Sequence, residues 1–207
     1  MKSLEIMLWI VGATLLALFA GAQAWGEIER QRDVAAFVQA RQLASAHDAI
    51  RAQPVTDRSV GIAPVTGPLT WQSPADAVLA ILRIPGIALE VPVGYGTDEW
   101  VLLRGAGLVE GTGLPGSNGN VAIAAHRDTY FRALKDLALG DRIELAMLDR
   151  TQTYVVTGLS VVEPTDVHVL ADTGEPVLTL VTCYPFYFVG HAPQRFIVRA
   201  VAAEFSI

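Results

Sequence analysis

The feature that most constrains the fold lies between residues 77 and 203, where short apolar runs alternate with turn-rich breaks. The runs cover residues 79–84, 87–93, 120–125, 142–148, 153–162, 177–183 and 195–203, with a shorter one at 106–109. A two-residue period of apolar side chains is the signature of strands with one face turned to a core. Only residues 98–104 and 129–137 read as helical. About eight strands in roughly 130 residues, with so little helix between them, predict an all-β domain, a barrel or a sandwich of antiparallel strands. Apolar residues make up 52% of the chain and charged residues 17%, a balance that supports a packed core rather than disorder.

Upstream of this region the pattern is different. Residues 6–25, IMLWIVGATLLALFAGAQAW, carry no charge, and as a helix they would be about 30 Å long, the thickness of a hydrocarbon core. Trp9 and Trp25 stand near the two ends, where aromatic anchors sit at membrane interfaces. A cleaved signal peptide normally has a shorter apolar region and a clearer positive charge before it. The segment reads as an uncleaved N-terminal transmembrane anchor over residues 1–26. Residues 27–52 lack glycine and proline and continue it as a juxtamembrane helix. From Glu27 to Arg58 there are five arginines and five acidic residues, which suits a solvated spacer better than a polybasic lipid-binding segment. Pro54, Pro64, Pro68 and Pro74 make residues 53–76 a semi-extended linker. The folded domain then occupies residues 77–207.

The formal net charge of −6 excludes a general affinity for nucleic acid, which requires a basic surface. Cys183 is the only cysteine among 207 residues, so there is no internal disulfide and no zinc site of paired cysteines. It ends the strand VLTLVTC at the point where Pro185 stops regular pairing. A thiol at a strand mouth is either packed as a small apolar group or used as a nucleophile. Arg195 opens the following strand. If the two strands pair as a hairpin, Arg195 faces Cys183 across the base of the loop. A guanidinium beside a thiol favours the thiolate and can donate hydrogen bonds to an oxyanion formed by its attack on a carbonyl.

Acyl transfer from a thiolate also needs a proton donor for the leaving amine, commonly histidine. His47 lies outside the domain, and His168 has no special setting. His191 lies inside the loop between Cys183 and Arg195. His126 ends the strand NVAIAAH, at another strand-to-loop junction, with the small residues Ala122, Ala124 and Ala125 before it. Spacing favours His126 and leaves His191 open. Asp128 is too close in sequence to His126 to be assigned as its partner. The acidic residues of the domain show no EF-hand spacing, so neither metal nor cofactor is expected.

The stretch NVAIAAHRDTYFRALKDLALGD, then TLVTC, then an arginine twelve positions on, closely resembles the sortases. TLVTCYPF followed by APQRFIV is most similar to the class D branch or a related Gram-negative group, and the resemblance runs over residues 79–205. It implies a closed eight-stranded β-barrel with short helices, with residues 77–207 as the catalytic domain behind an N-terminal anchor. It also implies a cysteine transpeptidase that cleaves an LPxTG-like sorting signal after its threonine. The acyl group is held as a thioester and passed to an amine acceptor of the cell envelope or a pilin. Cys183 would be the nucleophile, His126 the acid and base, and Arg195 the oxyanion arginine; the resemblance selects His126 over His191. Thr182 matches the motif threonine and is expected to support the oxyanion site by its backbone N–H or hydroxyl. The domain is expected outside the cell membrane, held by a single pass.

Other thiol chemistries fit less well. A thiol phosphatase needs an arginine six positions after the cysteine, where Val189 stands. An L,D-transpeptidase has a histidine–glycine pair just before its cysteine, and a papain-like protease places cysteine before histidine. The remaining alternatives are a cysteine peptidase acting mainly by hydrolysis and a non-catalytic, membrane-tethered β-domain that binds envelope proteins. The chain itself does not read as a sortase substrate, because its LPGS at residues 114–117 lies in a turn-rich stretch and its end lacks an apolar span with a basic tail.

Overall fold

In the computed structural model the described residues are 2–51, 78–188 and 190–203. They form a long helix, α1 (Lys2–Arg51), and eight strands. The strands are β1 (Ala80–Ile84), β2 (Leu89–Tyr95), β3 (Ala106–Leu108), β4 (Asn120–Ala124), β5 (Arg142–Ala146), β6 (Thr151–Val162), β7 (Val177–Tyr184) and β8 (Gln194–Ala202). They close into a barrel in the order β1-β2-β3-β4-β7-β8-β6-β5. Closure leaves no unpaired sheet edge. The linker expected over 53–76 lies outside the described residues.

Each strand falls within about two residues of its expected place. The connections bend the simple antiparallel expectation, because β2–β3 and β4–β7 are parallel pairs. Helix α2 (Glu99–Arg104) makes the first crossover. Asp98 starts it by accepting bonds from the backbone N–H groups of Trp100 and Val101, the ordinary role of an N-cap aspartate. The close approach of β3 requires a missing side chain, since a Cβ on Gly107 would lie 2.0 Å from the Gly96 carbonyl oxygen. The helix expected at 129–137 is a 3-10 helix over Tyr130–Asp136.

Alternation fills the barrel. Leu82, Ile84, Val91, Val93, Val121, Ile123, Ile143, Leu145, Tyr154, Leu178, Leu180 and Val198 are buried in one cluster. Fully burying side chains of this size stabilises a fold by about 1.5–3 kcal/mol each. On the outside of β1 and β5, Ile81 pairs in register with Ala146, and both are sealed beneath Phe37 of α1. Around that contact Arg30 donates to the Glu90 carbonyl at 2.9 Å, Arg41 to Thr151 Oγ1 at 2.9 Å, and Arg104 of α2 pairs with Asp33 at 3.0 Å.

One expectation for the N-terminal region is corrected here. The segment expected as a solvated spacer packs against the barrel, because Phe37 lies between helical turns whose polar residues reach barrel partners. Residues 6–25 do form the first half of a long helix, with Ile6–Phe19 side chains exposed. Among the described residues, however, no helix is long and apolar enough to cross a membrane, and the side chains of residues 22–27 lie outside that description. The observed feature is a long helix docked on a closed barrel.

Candidate active site

Three neighbouring strands build the site, with β7 between β4 and β8. Cys183 and Arg195 are direct partners in the β7–β8 ladder, so their Cα atoms are about 4.5–5.5 Å apart. On the other side β4 runs parallel to β7 at a constant offset, Asn120 against Val177 and Ala124 against Val181 (177 − 120 = 181 − 124 = 57). The Ala125 N–H still donates to the Val181 carbonyl at 3.3 Å. The ladder ends at Ala124, two residues before His126, and the same offset continued past that end would set His126 alongside Cys183. One strand spacing is about 4.8 Å.

Cys183 and Arg195 share a face. Leu178, Leu180 and Thr182 of β7 point into the barrel, and the first two join its core, so Cys183 points outward with Val181 and Thr179. Register partners in a ladder project to the same side, which puts Arg195 on that outer face with Cys183, while His126 follows two residues after the end of β4. All three are partly buried. Cys183 is a free thiol. Beside them the floor is flat, because Ala122 is buried and Ala124 presents only a methyl group.

Local bonding fixes each group. The turn after His126 is pinned by its own carbonyl, which accepts from the Phe131 N–H at 3.1 Å and the Thr129 N–H at 3.4 Å. Arg195 Nη1 donates to the carbonyls of Ala192 and Gln194 at 3.3 and 3.0 Å. Among the described residues this engages one of three guanidinium nitrogens, and the fork of donors is wide enough to serve a second acceptor. The Thr182 hydroxyl, one of the two groups expected to support the oxyanion site, is engaged elsewhere. It is buried and donates to the Ala125 carbonyl at 2.8 Å, on the face opposite the sulfur, so it ties β7 to the residue before His126 instead of reaching an oxyanion.

The other candidates fall elsewhere. His168 is exposed in a 3-10 helix over Val167–Leu170, and His191 is exposed on a loop. Asp128 is exposed and pairs with Arg127 at 3.1 Å, so its carboxylate is directed at a neighbour other than the imidazole. Among the described residues no group of three or more His, Cys, Asp or Glu is arranged to hold a metal ion. The loop aromatics divide: Phe186 is buried against Tyr184 and Phe196, with ring centroids 5.8 and 5.2 Å away, whereas Tyr187 and Phe188 are exposed.

Sequence reasoning passed over two buried polar groups. Arg127 is 6% exposed and reaches the carbonyls of Pro185 and Phe188. Asn120 accepts from the Thr179 hydroxyl at 2.7 Å and donates to the carbonyls of Val169 and Ala171, anchoring the β6–β7 loop. Their only sequence signal was a polar residue where strand periodicity leads into a loop.

The Sortase domain family matches residues 82–203. The chain belongs to the sortase family. Sortase D of Bacillus subtilis is 37% identical over 119 residues, which are 57% of this chain and 60% of that protein. Among solved structures, a Clostridium perfringens Sortase D5 transpeptidase superposes with a TM-score of 0.57 at 30% identity, covering 62% of this chain and 81% of its own. A sortase C of the same organism, solved with the C-terminal cell wall sorting motif, gives a TM-score of 0.57 at 32% identity over 62% and 72% of the two chains. The matched part spans about half to three-fifths of the length of the curated sortase relatives.

Proposed function

We propose that this sortase is a cysteine transpeptidase acting on proteins with an LPxTG-like sorting signal. The observation that carries the reading is the pairing of Cys183 with Arg195 across β7 and β8, with His126 two residues beyond the end of β4, the strand on the other side of β7. The Cys183 thiolate adds to the threonine carbonyl, and the negative charge moves to the carbonyl oxygen, where Arg195 donates to it. The C–N bond to glycine then breaks as protonated His126 gives its proton to the departing amine. A threonyl thioester on Cys183 remains. An amine of the cell envelope or of a pilin attacks this thioester, loses a proton to His126, and expels the thiolate as the new amide forms. Two acyl transfers thereby replace one difficult amide exchange.

The exposed apolar half of α1 supports a further reading, that the chain is tethered to the cell membrane with its barrel on the extracytoplasmic side. Because Phe37 fastens α1 to the barrel, this tether would hold the active face at a set distance from the bilayer.

The test is to incubate the protein with an LPxTG peptide and a glycine-based amine. A transpeptidase yields a product joined after threonine, and Cys183→Ala yields none. Release of the free threonyl acid alone, with the amine present in excess, would make the protein a peptidase. No cleavage of any signal variant would leave a binding domain.

A further inference from the structure

Arg127 follows His126 directly, and its guanidinium is nearly sealed from water. A buried charge is tolerated only when it is countered and its donors are used. Both conditions hold. Nε donates to Asp128 Oδ1 at 3.1 Å and Nη2 approaches Asp128 Oδ2 at 3.3 Å, while Nη1 donates to the Pro185 carbonyl at 2.8 Å and Nη2 to the Phe188 carbonyl at 2.9 Å. Those two carbonyls belong to the loop leaving Cys183. Between them Tyr187 carries a third tie, its ring lying 5.5 Å from the Arg132 guanidinium in the 3-10 helix that follows His126.

We propose that Arg127 is a positioning residue for the transpeptidation, acting by clamping the β7–β8 loop to the turn after His126. The inference rests on the proposed transpeptidase reading. One end of the clamp adjoins the imidazole, and the other lies two residues from the sulfur. The clamped loop also leads to Arg195. Holding the loop carbonyls therefore holds all three groups to a common frame. Arginine suits the task because its planar fork reaches two acceptors at once, which a lysine ammonium on a single stem cannot do. Misplacing reacting groups by about an ångström costs roughly 10²-fold in rate, so a loop held by one tie instead of three is enough to matter.

The test compares wild type, Arg127→Ala and Arg127→Lys in the 207-residue chain. Turnover of an LPxTG peptide with a glycine-based amine is measured alongside limited chymotrypsin digestion at Phe186–Phe188. Arg127→Ala is expected to raise cleavage in the loop at least about tenfold and to lower kcat about 10–100-fold. It is also expected to change the pH profile of kcat, which a role confined to stability would leave in place. Arg127→Lys is expected to fold and to fall between the two, and it decides the matter if the alanine variant does not fold. Wild-type kcat, KM and pH profile in a folded Arg127→Ala protein, or full rescue by lysine, would overturn the clamp. Failure of the wild-type protein to turn over any signal peptide would instead overturn the transpeptidase reading, and the inference with it.

Discussion

Thr182 separates two accounts of the residue before the nucleophile, so its replacement by valine is informative. The hydroxyl points into the barrel and donates to the Ala125 carbonyl at 2.8 Å, with 2% of the residue exposed. Valine keeps the shape of the side chain and removes that donor from a buried acceptor. Leaving such a group unpaired costs about 1–3 kcal/mol. For a barrel of this size each kcal/mol lowers Tm by roughly 3–6 °C, so Thr182→Val is expected to melt roughly 3–18 °C lower. The same bond sets the residue before His126, and its loss should reduce kcat about 10–100-fold through displacement of the imidazole. Thr182→Ser retains the donor and is expected to stay within about 1 kcal/mol of wild type, the cost of one methyl group, with near-normal turnover. Thermal denaturation and steady-state kinetics on the same preparations decide the issue. A valine variant with unchanged Tm and strongly reduced kcat would refute the tether and place the hydroxyl on the substrate oxyanion.

Other perturbations bear on separate parts of the account. Arg195→Ala is expected to lower kcat about 10²–10³-fold, as removal of an oxyanion donor does, and near-normal kinetics would remove Arg195 from that role. Tyr154 is wholly inside the barrel, its hydroxyl has no hydrogen-bond partner among the described residues, and burial pushes its pKa up to about 12. The fold therefore favours the neutral phenol, and this contribution is complete below about pH 10 and is lost as pH rises towards 12. Urea denaturation of Tyr154→Phe should show no such alkaline loss, and at neutral pH a stability equal to or about 1 kcal/mol above wild type. Phe37→Ala should release α1 from Ile81 and Ala146, read as faster amide exchange around residues 30–45, while the barrel strands keep their protection; unchanged exchange would show that the polar contacts alone hold the helix.

Much of the architecture was legible because it rests on local signals. Two-residue alternation located the strands, and Pro185 marked the end of β7 at Tyr184. Pairing partners are non-local, so the two parallel pairs and the closure order could not be read from periodicity. The docking of α1 was hidden for a related reason: Phe37 is one apolar residue in a polar, alanine-rich helix, and its partners Ile81 and Ala146 lie outside the barrel, where alternation suggested solvent. At the site, Cys183 and Arg195 could be set opposite one another from hairpin logic alone. His126 needed the parallel offset between β4 and β7, which no sequence window contains. Arg127 and Asn120 were missed because their importance lies in backbone carbonyls they reach across the fold, and carbonyls carry no sequence signature. Strand alternation already put Thr182 on the face opposite Cys183, but the Ala125 carbonyl its hydroxyl reaches lies on another strand and carries no sequence signature.

The account depends on Cys183 holding the substrate's acyl group between the two half-reactions. Its most direct test is the intact mass of the protein quenched in acid during turnover of an LPxTG peptide without added amine. The predicted result is an increase equal to the peptide up to its threonine, less the elements lost in forming a thioester. It should be located on Cys183, discharged by a glycine-based amine, and missing from Cys183→Ala. Turnover with no such adduct, or with the adduct intact in Cys183→Ala, would contradict it.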